Sequence, residues 1–177
     1  YGFFGISSHL GTPEVTEEGR LITIPWTIKG TTVTLKAALG HDENSDITGN
    51  VGLSFSVENN SGSDENVSVR LLLDTALGNK IDAPYFVIDE DIKPTMTETE
   101  FSGDKVPSQI RAVDSLTNPT KLSYILTKGW NGGVEPSKVI IGHWANLANT
   151  RYSYTPDSYC DFTNYSNDYR EPDSAAA

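Results

Sequence analysis

The stretch from Val51 to Leu73, VGLSFSVENNSGSDENVSVRLLL, constrains the fold most. Val51, Leu53, Phe55 and Val57 alternate with Gly52, Ser54, Ser56 and Glu58. Val67, Val69, Leu71 and Leu73 repeat the pattern after a polar connection, Asn59 to Asn66. Side chains two residues apart share a face of an extended chain, so each run predicts a strand with one buried and one wet side. Two such runs joined by a Gly- and Ser-containing linker predict an antiparallel hairpin with a longer-than-minimal loop.

The same reading extends along the chain. Ile22, Ile24, Trp26 and Ile28 share a face of Leu21–Ile28, and Lys29-Gly30 turns the chain into a strand carrying Val33, Leu35, Ala37 and Leu39. Pro25 lacks a ladder donor and predicts a strand edge or a bulge. Tyr1–Ile6, Tyr85–Ile88, Thr97–Phe101, Ile110–Val113, Leu122–Leu126 and Lys138–Trp144 are further strands, separated by Gly, Pro and Asn turns. No segment sustains a 3.6-residue period; Trp144–Asn149 makes at most one helical turn. About ten short strands predict an all-β fold, a single antiparallel β-sandwich with long polar loops. There is no internal repeat and no linker, so residues 1–177 read as one domain. Its Tyr- and Asp-rich stretch 151–177 reads as a long loop or tail.

With 177 residues the chain can bury a real core, and the 37% hydrophobic content suits half-buried strands. The formal net charge of −11 argues against nucleic acid, whose phosphates need cationic partners, and against anionic membrane surfaces. No apolar run reaches the length of a membrane span, so no membrane insertion is expected. Cys160 is the single cysteine, so no intrachain disulfide forms. Abundant Asn, Ser, Thr, Gly and Tyr with little Lys resembles secreted bacterial surface modules. Asn59, Asn66 and Asn164 begin N-x-S/T sequons and are glycosylation candidates.

Three phrases carry a family resemblance: LLLDTALG at 71–78, VDSLTNPT at 113–120 and EPSKVIIGHW at 135–144. In this order they are similar to a poorly characterised group of bacterial extracellular β-sandwich domains. That group has an LDTxLG strand end, a DSLxNPT turn and a later strand closing on Trp. The resemblance covers roughly residues 50–145 and the Asp173-Ser174-Ala175 phrase. It implies an extracellular or cell-surface setting and supplies no catalytic residues. Members continue past the DSA phrase to an aromatic YYG-like segment, which Tyr1-Gly2-Phe3-Phe4-Gly5 resembles. Two readings follow. The chain is incomplete, or its sheet takes a strand from a neighbouring molecule, with Tyr1, Phe3 and Phe4 as subunit-contact candidates.

Few residues suggest chemistry. Asp42, Asn44 and Asp46 place alternate oxygen donors on a loop, as Ca²⁺ requires. Ile47 and Leu53 stand where an EF-hand needs its turning Gly and bidentate Glu, so a looser calcium loop or a plain solvated loop is the choice. No other cofactor is expected. His9, His41 and His143 show no zinc spacing, and His143 shares a strand face with Val139 and Ile141 as a core or sheet-edge residue. No nucleophile elbow, phosphate loop or dinucleotide fingerprint occurs. Trp130, Tyr152, Tyr154 and Tyr159 are carbohydrate-binding candidates, because aromatic faces stack on sugar rings while nearby Asp or Asn bind hydroxyls. They serve equally well to cover a sheet or a subunit interface. The expected function is a non-catalytic structural or adhesion module of a bacterial surface protein or filament, whose partners are other copies or other surface proteins. The alternative is a carbohydrate-binding module of a secreted glycan-active protein.

Overall fold

The structure, a computed structural model, describes residues 11–40, 49–77, 85–88, 94–129, 133–150, 153–163 and 172–177. The fold is all-β and sandwich-like, with three antiparallel sheets and no closed barrel. The chain divides into two compact units, Tyr1–Val69 and Arg70–Ala177.

The first unit is a four-stranded meander in the order β1 (Glu14–Thr16), β2 (Leu21–Ile28), β3 (Thr31–Leu39), β4 (Val51–Asn59). The β2–β3 turn is Lys29-Gly30, with both φ positive, at 51° and 85°. A two-residue turn of that hand matches strand twist and fixes the register. Ile22, Ala37 and Leu53 therefore lie side by side, as do Ile24, Leu35 and Phe55, and Trp26, Val33 and Val57. These rows build one apolar face. The opposite face carries Thr23, Lys36 and Ser54, then Pro25, Thr34 and Ser56. Pro25 is second in strand order, yet β1 pairs only with Leu21–Thr23. Beyond these residues the Pro25 carbonyl accepts from the Gly11 amide at 2.8 Å. A Cβ on Gly11 would come within 2.7 Å of the Pro25 ring, so this approach needs glycine.

The hairpin expected between the 51–57 and 67–73 runs does not form. β4 pairs with β3, and of the second run only Leu73 is in a strand, β5 (Leu73–Asp74), which belongs to the second unit. Alternation identifies a half-buried strand but does not name its partner.

The second unit is a two-layer sandwich. One sheet runs in the order β10 (Leu122–Leu126), β9 (Gln109–Val113), β6 (Tyr85–Ile88), β7 (Pro94–Thr95). The other runs β5, β12 (Ala175–Ala176), β11 (Lys138–Gly142), β8 (Thr99–Ser102). Between them lie Phe86, Ile110 and Ala112 from the first sheet and Val139 and Ile141 from the second, closed by Leu77, Val106 and Phe162. The Phe86 and Phe162 rings meet edge to face, with centroids 6.0 Å apart. β11 is covered on its other face too, where Ile140 packs with Ala175 and with Leu147 of α1 (Trp144–Ala148). Burial on both sides explains why β11 reads as a continuous apolar run rather than alternating.

The described parts of the 151–177 stretch are built into this unit. The Phe162 amide donates to the Met96 carbonyl, and Phe162 is fully buried. β12 is inserted between β5 and β11. The familiar phrases have local structural roles. Thr75 donates to the Ser174 carbonyl at 3.2 Å. Asp114 gathers the amides of Thr120 and Lys121 and the Thr120 hydroxyl, and these bonds hold its carboxyl below the usual aspartate range. Arg70 donates to the Leu147 and Thr150 carbonyls, closing the C-terminal end of α1.

Phe162→Ala is expected to destabilise the second unit by about 3–5 kcal/mol, the range for emptying an aromatic core site. Chemical denaturation followed by near-ultraviolet circular dichroism measures it; a loss below about 0.5 kcal/mol would show a surface loop instead.

Candidate functional site

Glu98 is 2% exposed and immediately precedes β8. The β8–β11 register pairs Thr99 with Ile141, so Glu98 falls opposite Gly142. Gly142 leaves the room. A Cβ there would lie 3.1–3.2 Å from the Glu98 carboxyl group.

Four donors converge on the carboxylate. Oε1 accepts from the His143 amide at 3.2 Å and from Asn146 Nδ2 at 2.8 Å. Oε2 accepts from the Asp157 amide at 2.9 Å and from the Tyr154 hydroxyl. A buried carboxylate is tolerated only when its desolvation is offset by donors, and here each oxygen has two. The donors come from three places: the end of β11, helix α1 and the 153–163 loop. Cys160, also buried, lies beside them; its Sγ is 3.8 Å from Asn146 Nδ2, and its carbonyl accepts from the Glu98 amide.

His143 is buried as expected, but not as a strand residue. β11 ends at Gly142, and His143 is the N-cap of α1, its Nδ1 accepting from the Ala145 amide at 3.2 Å. An imidazole acceptor takes the place that Ser, Thr or Asp more often fills, and the strand expected to reach Trp144 ends two residues early.

Among the carbohydrate-binding candidates, the structure separates Tyr154 from Tyr159. Tyr154 packs with Ile140 and Leu147 and spends its hydroxyl on Glu98. Burial, and then the hydrogen bond and charge of Glu98, raise the Tyr154 phenol well above the ordinary tyrosine value. Tyr159 is 85% exposed, and its amide donates to Asp157 Oδ1 at 2.9 Å. Trp130 and Tyr152 lie outside the described residues, as do Tyr1, Phe3 and Phe4, the calcium candidates Asp42, Asn44 and Asp46, and Asn164. Among the described residues no group of His, Cys, Asp and Glu converges as a metal site. Asn59 and Asn66 are both exposed. Asn59 is folded into a turn, its Oδ1 accepting from the Ser61 amide and hydroxyl and its Nδ2 donating to the Ser63 carbonyl.

Glu98 and Asn146 were not singled out by sequence. One acid among 24 carries no mark of its own. The available signal is positional: an acid in a strand register opposite the glycine of a VIIG run. Among the described residues no helix is long and apolar enough to cross a membrane. In comparisons with family models, curated proteins and solved structures, no match to this chain was found.

Glu98→Gln puts a donor where two donors already point. It is expected to cost roughly 1–3 kcal/mol or more, the desolvation penalty of unsatisfied buried groups. Urea denaturation checks this, and an unchanged midpoint would show that the hub does not hold the loop. The raised Tyr154 pKa gives a second expectation. A group that holds its proton more tightly when folded adds stability that is complete below its unfolded value. That stability is lost as pH rises from about 10 toward the folded value. Tyr154→Phe should therefore be less stable at neutral pH and lose stability less steeply with alkali, as thermal melts across that range would reveal.

Proposed function

We propose that this chain is a non-catalytic structural or adhesion module of an extracellular bacterial surface protein or filament. The observation that carries this reading is the saturation of Glu98. The cluster of Glu98, His143, Cys160 and the half-buried Tyr154 and Asn146 has its carboxylate occupied by protein donors on both oxygens. A general acid or base must reach a substrate proton, and a carboxylate so engaged serves the packing of β11, α1 and the loop instead. The composition rich in Asn, Ser, Thr, Gly and Tyr and the family resemblance support the extracellular bacterial setting, with other copies or surface proteins as partners.

A second reading, a carbohydrate-binding module of a secreted glycan-active protein, is favoured by the exposed ring of Tyr159 next to Asp157. An exposed aromatic beside a carboxylate matches the stacking and hydroxyl recognition of a sugar site.

Sedimentation velocity over a concentration series, with a broad glycan array on the same protein, tests the choice. The structural reading expects concentration-dependent self-association and an array without signal. A monomer that binds a glycan, with binding lost in Tyr159→Ala, would replace it with the second reading.

A further inference from the structure

The edge of the first unit's sheet is the place where the molecule most directly specifies a partner. β4 lies at the end of the sheet order, and among the described residues only β3 pairs with it. The chain flanking it settles which of its backbone groups face outward. The Asn60 amide donates to Gly30, and the Gly40 amide donates to Asn50. Pairing in an antiparallel ladder alternates, so Gly52, Ser54, Ser56 and Glu58 bond to β3, while Val51, Leu53, Phe55 and Val57 turn their N–H and C=O groups outward.

Protected edges are short, charged, bulged or broken by proline. β1, the other edge of this sheet, has three residues and begins with Glu14. β4 has nine residues, and from Val51 to Val57 it carries no charge and no proline. Val51, Leu53 and Val57 are also exposed, at 56%, 39% and 45%. In the sandwich unit, β10 is a shorter exposed edge, but Lys121 and Lys128 flank it.

We propose that β4 pairs antiparallel with β4 of a second copy, about a two-fold axis at Phe55. This rests on the structural reading above and names the surface that performs it. The register is self-complementary. Phe55 meets Phe55 of the other copy, Leu53 meets Val57, Ser54 meets Ser56, and the one acid, Glu58, meets Gly52 rather than another acid. The outward-facing residues fall in hydrogen-bonded positions, and the apolar rows of the two sheets run on into each other. A two-fold contact of this kind places the same patch on both sides, and like charges directly opposite, which would oppose it, are absent.

Analytical ultracentrifugation of the whole chain is expected to show a dimer or larger species. Leu53→Lys should raise its dissociation constant about ten-fold or more, equivalent to 1.4 kcal/mol. Tyr124→Lys, on β10, should change it little. Circular dichroism checks that each variant is folded. Register is read by oxidative cross-linking. Phe55→Cys should link to itself, whereas Leu53→Cys and Val57→Cys should each link poorly alone and well when mixed. A chain that stays monomeric at the highest attainable concentration overturns the proposal. So does self-association that is indifferent to Leu53→Lys or is abolished by Tyr124→Lys. In those last two cases the structural reading stands without β4, whereas a glycan-binding monomer removes both.

Discussion

The buried carboxylate of Glu98 is the interaction on which the sandwich unit is organised. A charge at 2% exposure is expensive, and the expense is met only while four donors stay in place. Those donors bring with them the end of β11, the first turn of α1 and two points of the 153–163 loop. The loop in turn delivers Phe162 to the space between the sheets. Gly142 is part of the same arrangement, since a Cβ there would press on the Glu98 carboxyl group from 3.1–3.2 Å. The polar hub on one face of β11 and the apolar core on the other are thus mutually dependent: the hub fixes the loop, and the loop closes the core.

Much of the fold was legible because strands with one wet face announce themselves by alternation. Leu21–Ile28, Tyr85–Ile88 and Leu122–Leu126 have the boundaries that their periodicity implies. Alternation was silent about partners. Val67 and Val69 continue the pattern of β4 but are not in a strand, and Leu73 pairs with Ala176 near the far end of the sequence. The strand in Ala175–Ala176 was illegible for another reason: alanines carry no periodic contrast, and their burial follows from a slot whose walls are β5 and β11. The candidate site was least legible of all. Tyr154 stood out as an aromatic, but its role depends on Glu98, and nothing in the local sequence separates Glu98 from the other acids.

The two units contrast in how they handle their apolar side chains. In the sandwich, Phe86, Ile110, Ile141 and Phe162 are fully enclosed. In the meander, none of the described side chains is buried, although one face carries the apolar rows of Ile22 and Leu53, of Ile24, Leu35 and Phe55, and of Trp26, Val33 and Val57. A sheet with one apolar face gains its full hydrophobic stabilisation only when that face or its edges are covered. The first unit thus has the one-sided apolar pattern of a single sandwich layer.

The position of β12 has a kinetic consequence. The meander is made of neighbours in sequence, joined at β2–β3 by a two-residue turn, so it can form as a local event. The second sheet of the sandwich cannot. Its middle strand links positions such as Thr75 and Ser174, 99 residues apart, and loop closure over that span must precede any reward from packing. Refolding is then expected to proceed in two stages, with a fast one confined to the meander and a slower one in which β5 and β11 wait for the strand that joins them.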